Sequence, residues 1–200
     1  VCSSSDLTPD MPAEDFLRVI DQSVTPHVDP HKVLIIISGG EPLMRTDLAQ
    51  VGKALKQRGY PWGMVTNGLA LTPKRFKELM QNGLRSMAIS FDGMKDNHNW
   101  MRQHPLAFDG ATRAIKLAAA TPSLTWDVVT CVNQRTINQL DEMREYLWSI
   151  GVRNWRLITI APMGRAAENP ELNLTPEQMR YLLDYIRDRR KEGLHISYSC

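Results

Sequence analysis

Glu41 stands behind two adjacent glycines and ahead of a proline, in the run Ser38–Gly39–Gly40–Glu41–Pro42. Adjacent glycines let a backbone approach a ligand closely and expose its carbonyls. A carboxylate beside them accepts charge-assisted hydrogen bonds from an ammonium group. The same run also reads as a tight strand-to-helix turn with an exposed Glu. Two comparable runs follow, Thr66–Asn67–Gly68 and Ser90–Phe91–Asp92–Gly93. Asn, Asp and Gly are common turn residues, so each could be only a turn. Strand alternation puts Ser90 and Asp92 on one face, where a hydroxyl and a carboxylate could bind ribose hydroxyls or order a neighbouring loop. Val132–Asn133 and Ala161–Pro162–Met163–Gly164–Arg165–Ala166 complete the series. Asn133 and Asn138 also read as a turn and an N-cap. Arg165 could clamp a carboxylate or be an ordinary surface arginine.

Each run sits where a strand should end. Val33 to Ser38 is apolar until its last residue and rich in β-branched side chains, the pattern of a strand buried on both faces of a parallel sheet. Further strands are expected over 62–66, 86–91, 125–132, 155–160 and 195–199. Between them the 3.6-residue apolar period predicts helices over 12–23, 47–58, 72–82, 109–120 and 138–150, and one following Thr175–Pro176 with Met179, Leu182, Leu183 and Ile186 on one side. Strict alternation of strand and helix implies parallel strands with right-handed crossovers. The pattern does not separate an open doubly wound sheet from a barrel, and in both, ligands bind at the carboxyl ends of the strands.

Two connections, 93–108 and 161–175, read as long loops, a length often used for lids or binding loops. The first carries His98, Trp100, Met101, Arg102 and His104. Its histidines lack the spacing of a helix face or hairpin pair, which argues against a metal site there. His27, His31 and His195 read as structural or exposed. Cys131 falls inside a strand and reads as a core residue.

The bulk properties exclude several classes. Lys and Arg number 24 against 22 Asp and Glu, a net charge of +2, so no large nucleic-acid footprint is expected. No apolar run reaches membrane-spanning length and no secretory signal is visible. Three scattered cysteines do not make a disulfide framework, and a cytoplasmic setting is expected.

Taken in order, Gly39–Gly40–Glu41–Pro42, Thr66–Asn67–Gly68 and Ser90–Phe91–Asp92–Gly93 resemble the radical S-adenosylmethionine (SAM) superfamily. Val132–Asn133 and Pro162–Met163–Gly164–Arg165–Ala166 resemble its subgroup with a C-terminal SPASM extension, which often modifies peptides or activates other enzymes. The stretch around His98 and Arg102 is similar to a segment of that subgroup. The resemblance implies a parallel (β/α)6-type partial barrel, here missing its first strand. The core would occupy residues 1–192, with 193–200 the start of a truncated SPASM-like extension. It implies that Gly39, Gly40, Glu41 and Pro42 meet the methionyl ammonium, with Thr66 and Asn67 at the next strand end. Ser90 and Asp92 would face the ribose, and Asn133, Arg165 and Arg102 would contribute to the adenosyl or carboxylate side. A 4Fe–4S cluster, an electron donor and a substrate, among them a peptide or protein, are the implied partners. The implied activity is generation of a 5′-deoxyadenosyl radical for hydrogen abstraction.

The family's CxxxCxxC motif is absent, so the main cluster ligands are expected outside this chain. Cys2 is a candidate for the last cluster cysteine, and Cys200 for a ligand of an auxiliary cluster. The chain alone is therefore expected to be inactive. A non-catalytic barrel-type binding module, or another α/β enzyme holding a sugar or nucleotide at its strand ends, remains as an alternative.

Overall fold

The computed structural model describes residues 11–199, apart from the side chain of Arg165; Cys2 and Cys200 lie outside the described residues. Strands and helices alternate: α1 (Ala13–Val19), β1 (Ile35–Ile37), α2 (Leu48–Gln57), β2 (Trp62–Thr66), α3 (Pro73–Gln81), β3 (Leu84–Ser90), α4 (Lys95–Arg102), α5 (Ala107–Ala119), β4 (Thr125–Val132), α6 (Leu140–Ser149), β5 (Asn154–Thr159), α7 (Pro176–Lys191) and β6 (His195–Ser199). The strands form one six-stranded sheet in the order β1-β2-β3-β4-β5-β6. β1 pairs parallel with β2, placing Ile35 opposite Trp62. β4 pairs parallel with β5, and β5 with β6, with Asn154 opposite His195. A doubly wound sheet reverses its strand order at a switch point. This order never reverses, so the fold is the partial-barrel type, each strand beside its predecessor.

The chain forms two compact units. One contains the chain up to Thr66, Ala70–Met87 and Ser123–Thr125; the other contains Asn67–Leu69, Ala88–Pro122 and the chain from Trp126 onward. In the first, α2 buries Leu48, Val51 and Leu55. The fully buried Trp62 passes so close to α2 that a Cβ on Gly52 would lie 2.6 Å from its Cε2. Its Nε1 donates to the Asn82 carbonyl at 3.0 Å. Thr72 caps α3 by accepting from Arg75 N.

In the second unit, Phe91 packs against Phe108 and Tyr146, with ring centroids 5.4 and 5.8 Å away. Trp155 Nε1 donates to Thr130 Oγ1 at 2.8 Å, and that hydroxyl donates to the Phe91 carbonyl. Thr175 and Gln178 form a reciprocal capping box at the start of α7.

Three expectations need correction. The stretch over 33–38 is a three-residue strand, and it is not buried on both faces: Leu34 is 46% and Ile36 45% exposed. β1 is the edge strand of the described sheet, which leaves its side chains less covered. The segment 93–108 is not a loop, because α4 and the start of α5 occupy it. On α7, Leu183 faces out and Tyr185 is buried beside Leu182 and Ile186. The 161–175 connection is irregular as expected, with two short 3-10 turns at Gly164–Ala166 and Pro170–Leu172.

Candidate functional site

In the first unit the chemistry gathers after β1 and β2. Glu41 precedes a 3-10 turn, Pro42–Met44, and its own Oε1 accepts from Leu43 N at 3.0 Å. Thr66, buried at the end of β2, donates its hydroxyl to the same oxygen at 2.7 Å. Two donors on one oxygen hold the carboxylate in place, and Leu43, 1% exposed, anchors the turn beneath it. Gly39 adopts φ +122°, in the left-handed region that favours glycine. Gly39 and Gly40 are exposed, and a Cβ built on either would meet no atom within 4 Å. A fixed carboxylate thus stands beside open, side-chain-free backbone.

In the second unit the chemistry gathers after β3 and β4. Asp92 is fully buried. Its Oδ1 accepts from Cys131 N at 2.9 Å, and its Oδ2 accepts from Arg102 Nε at 2.6 Å. His98, also fully buried, accepts the Asp92 N–H on Nδ1 at 2.9 Å. Arg102 reaches the surface, with its side chain 23% exposed. Burial drives the His98 pKa down to about 4 against the opposing pull of Asp92, so the ring is neutral at pH 7. Burial, reinforced by Asp92, pushes the Cys131 thiol up to about 12. It is neither a thiolate nor a ready ligand, and the residue is half-buried at the end of β4 rather than in the core as expected.

The remaining candidates are more local. Asn67 Oδ1 accepts from Leu69 N at 2.9 Å, and Gly68 turns the chain at φ +74°, where a Cβ would press on Ala114. Asn133 is buried; its Oδ1 accepts from Arg135 N, and its Nδ2 donates to the Cys131 carbonyl. Its side chain shapes the turn after β4. Ser90 ends β3 half-buried. Arg165 lies in the Gly164–Ala166 turn. Asn138 is exposed within a 3-10 turn preceding α6 and caps nothing. Among the described residues, no group of three or more His, Cys, Asp or Glu is placed to hold a metal ion.

Sequence reasoning missed the link between His98 and Asp92. The available signal was the four-residue spacing of His98 and Arg102, one helical turn. A loop reading of the stretch hides that spacing.

Comparison with known proteins matches residues 3–147 to the family described as the Radical SAM superfamily. The AdoMet-dependent heme synthase of Methanosarcina barkeri is 26% identical over 171 residues, 84% of this chain and 48% of that protein. Mycofactocin maturase MftC of Mycolicibacterium smegmatis is 27% identical over 151 residues, 75% of this chain and 38% of that protein. The chain spans about half the length of the first curated relatives it matches. Among solved structures, SuiB of Streptococcus suis bound to precursor peptide SuiA superposes with a TM-score of 0.70 at 15% identity, covering 95% of this chain and 42% of that one. Native anSMEcpe with bound AdoMet gives 0.72 at 18% identity, covering 92% and 54%. At such identities the structural likeness is one of fold.

Proposed function

The chain belongs to the radical SAM superfamily, and from that premise we propose that it is the SAM-binding core of a radical enzyme. The observation that carries the reading is Glu41, pinned by Leu43 N and Thr66 Oγ1 beside the open backbone of Gly39 and Gly40. These residues fit the methionyl end of SAM: a carboxylate and backbone carbonyls accept from its ammonium, and no side chain fills the space. The described residues do not fit a 4Fe–4S cluster, since their one cysteine, Cys131, is a strand residue with a protonated thiol. No step is therefore derived through the cluster.

Bound SAM would be the source of a 5′-deoxyadenosyl radical for hydrogen abstraction. In our reading Glu41 accepts from the ammonium and sets the direction of the methionyl chain, while Pro42 and Thr66 keep Glu41 in place. Arg102 pairs with the SAM carboxylate. Asp92 keeps Arg102 extended from α4 and serves cofactor binding through it, because its own oxygens are engaged inside the protein. Ser90 offers its hydroxyl to the ribose. Asn67 and Asn133 hold the turns that carry these groups, and Arg165 adds a cation on the carboxylate side.

For the substrate we propose a peptide or protein. The name of MftC, a maturase, and the peptide-bound form of SuiB support this class. The heme synthase relatives, which match 84% of this chain against 75% for MftC, support a second reading in heme synthesis. The experiment is anaerobic turnover of the reconstituted full-length protein. Glu41→Ala should cut the 5′-deoxyadenosine yield by about tenfold or more, the loss of one charge-assisted contact. An unchanged yield contradicts the assignment. Deuterium transferred into 5′-deoxyadenosine from a labelled peptide, and not from a labelled heme precursor, would decide the substrate class.

A further inference from the structure

We propose that His98 is a positioning residue: by fixing the backbone of Asp92 it holds the carboxylate that aims Arg102 at the carboxylate of SAM. The inference rests on the reading of Arg102 given above.

His98 and Arg102 lie one turn apart on α4 and engage the same residue from two sides. The imidazole takes the Asp92 N–H at 2.9 Å, and the guanidinium Nε donates to Asp92 Oδ2 at 2.6 Å. The opposite carboxylate oxygen is tied to Cys131 N on β4. Shifting the Asp92 backbone would therefore shift the anchor of Arg102. With Nδ1 accepting, the ring proton sits on Nε2. That atom is buried and faces the Ala107 backbone, which acts on the ring as a weak hydrogen-bond partner.

The ring is walled by Phe91 and Phe108, with centroids 5.4 and 6.4 Å away. An apolar side chain would also fit such surroundings. What it could not supply is the acceptor for Asp92 N, and that acceptor is what histidine contributes here. Burial keeps the ring neutral, so Nδ1 stays an acceptor at physiological pH.

Equilibrium dialysis of SAM against the full chain tests this in the parent and in His98→Leu, His98→Asn, Arg102→Ala and the double variant His98→Leu/Arg102→Ala. His98→Leu should weaken SAM binding about tenfold, the scale of coupling between contacting residues. His98→Asn, whose Oδ1 can stand in for Nδ1, should recover most of it. With Arg102 already removed, His98→Leu should cost no further affinity. Nitrogen NMR of the parent should show the Nε2–H tautomer. Parent-like SAM binding by folded His98→Leu overturns the proposal, as does an equal loss in the Arg102→Ala background. If His98→Leu does not fold, failure of His98→Asn to bind SAM like the parent overturns it, and so does an Nδ1–H tautomer. Absence of SAM binding by the parent would instead overturn the reading of the site, and this inference with it.

Discussion

Asp92 attracts notice in the sequence as a possible ribose ligand, yet its carboxylate lies at 0% exposure with both oxygens engaged. The sequence singles out the residue but not its burial, because burial depends on α4 folding over it. Removing one partner of such a pair leaves the other charge uncompensated. Asp92→Ala should therefore destabilise the protein by about 3 kcal/mol, read as a fall in the urea midpoint. His98 adds a pH dependence. Unfolded, its ring titrates near 6.5; folded, near 4, chiefly because it is buried. Between those values the unfolded chain takes up a proton that the folded chain refuses. Stability is thus complete above pH 6.5 and falls toward pH 4, by up to about 3 kcal/mol. Urea midpoints at pH 7 and pH 4.5 should separate in the parent and lie closer together in His98→Asn, which lacks the histidine share of that loss.

At the scale of elements, β2 and β4 begin and end where the residue pattern places them, Trp62–Thr66 and Thr125–Val132. Turn residues flank them and apolar side chains fill them. α4 was illegible for a physical reason. Lys95–Arg102 holds two asparagines, has no side-chain cap and buries only His98 and Met101, so tertiary contacts rather than propensity hold it. It ends at Gln103, a non-glycine residue in the left-handed region at φ +52°. Gln103→Gly should relieve that strain and raise stability by about 1 kcal/mol. Gly52 in α2 carries the opposite expectation. Alanine gains roughly 1 kcal/mol in helix propensity, but its Cβ would drive into the buried Trp62 ring, and such overpacking costs about 1–3 kcal/mol. Gly52→Ala should lower the melting temperature despite the better helix former.

For the whole molecule, the alternating pattern foretells a parallel α/β fold, and the unreversed strand order decides between its two forms. No helix among the described residues is long and apolar enough to cross a membrane. The ordered strand-end runs carried the family resemblance because their order constrains more than any one of them. Which of their side chains are exposed was not legible, since strand-end turns bury and uncover neighbours in ways that local pattern does not encode. Glu41 and Asp92 show the contrast: one carboxylate stands by open backbone, the other is enclosed. The most direct measurement is hydrogen exchange of the full chain with and without SAM. SAM should slow exchange at residues 39–43, leaving the exposed face of α7 unchanged. Exchange at residues 39–43 that does not respond to SAM would contradict the account.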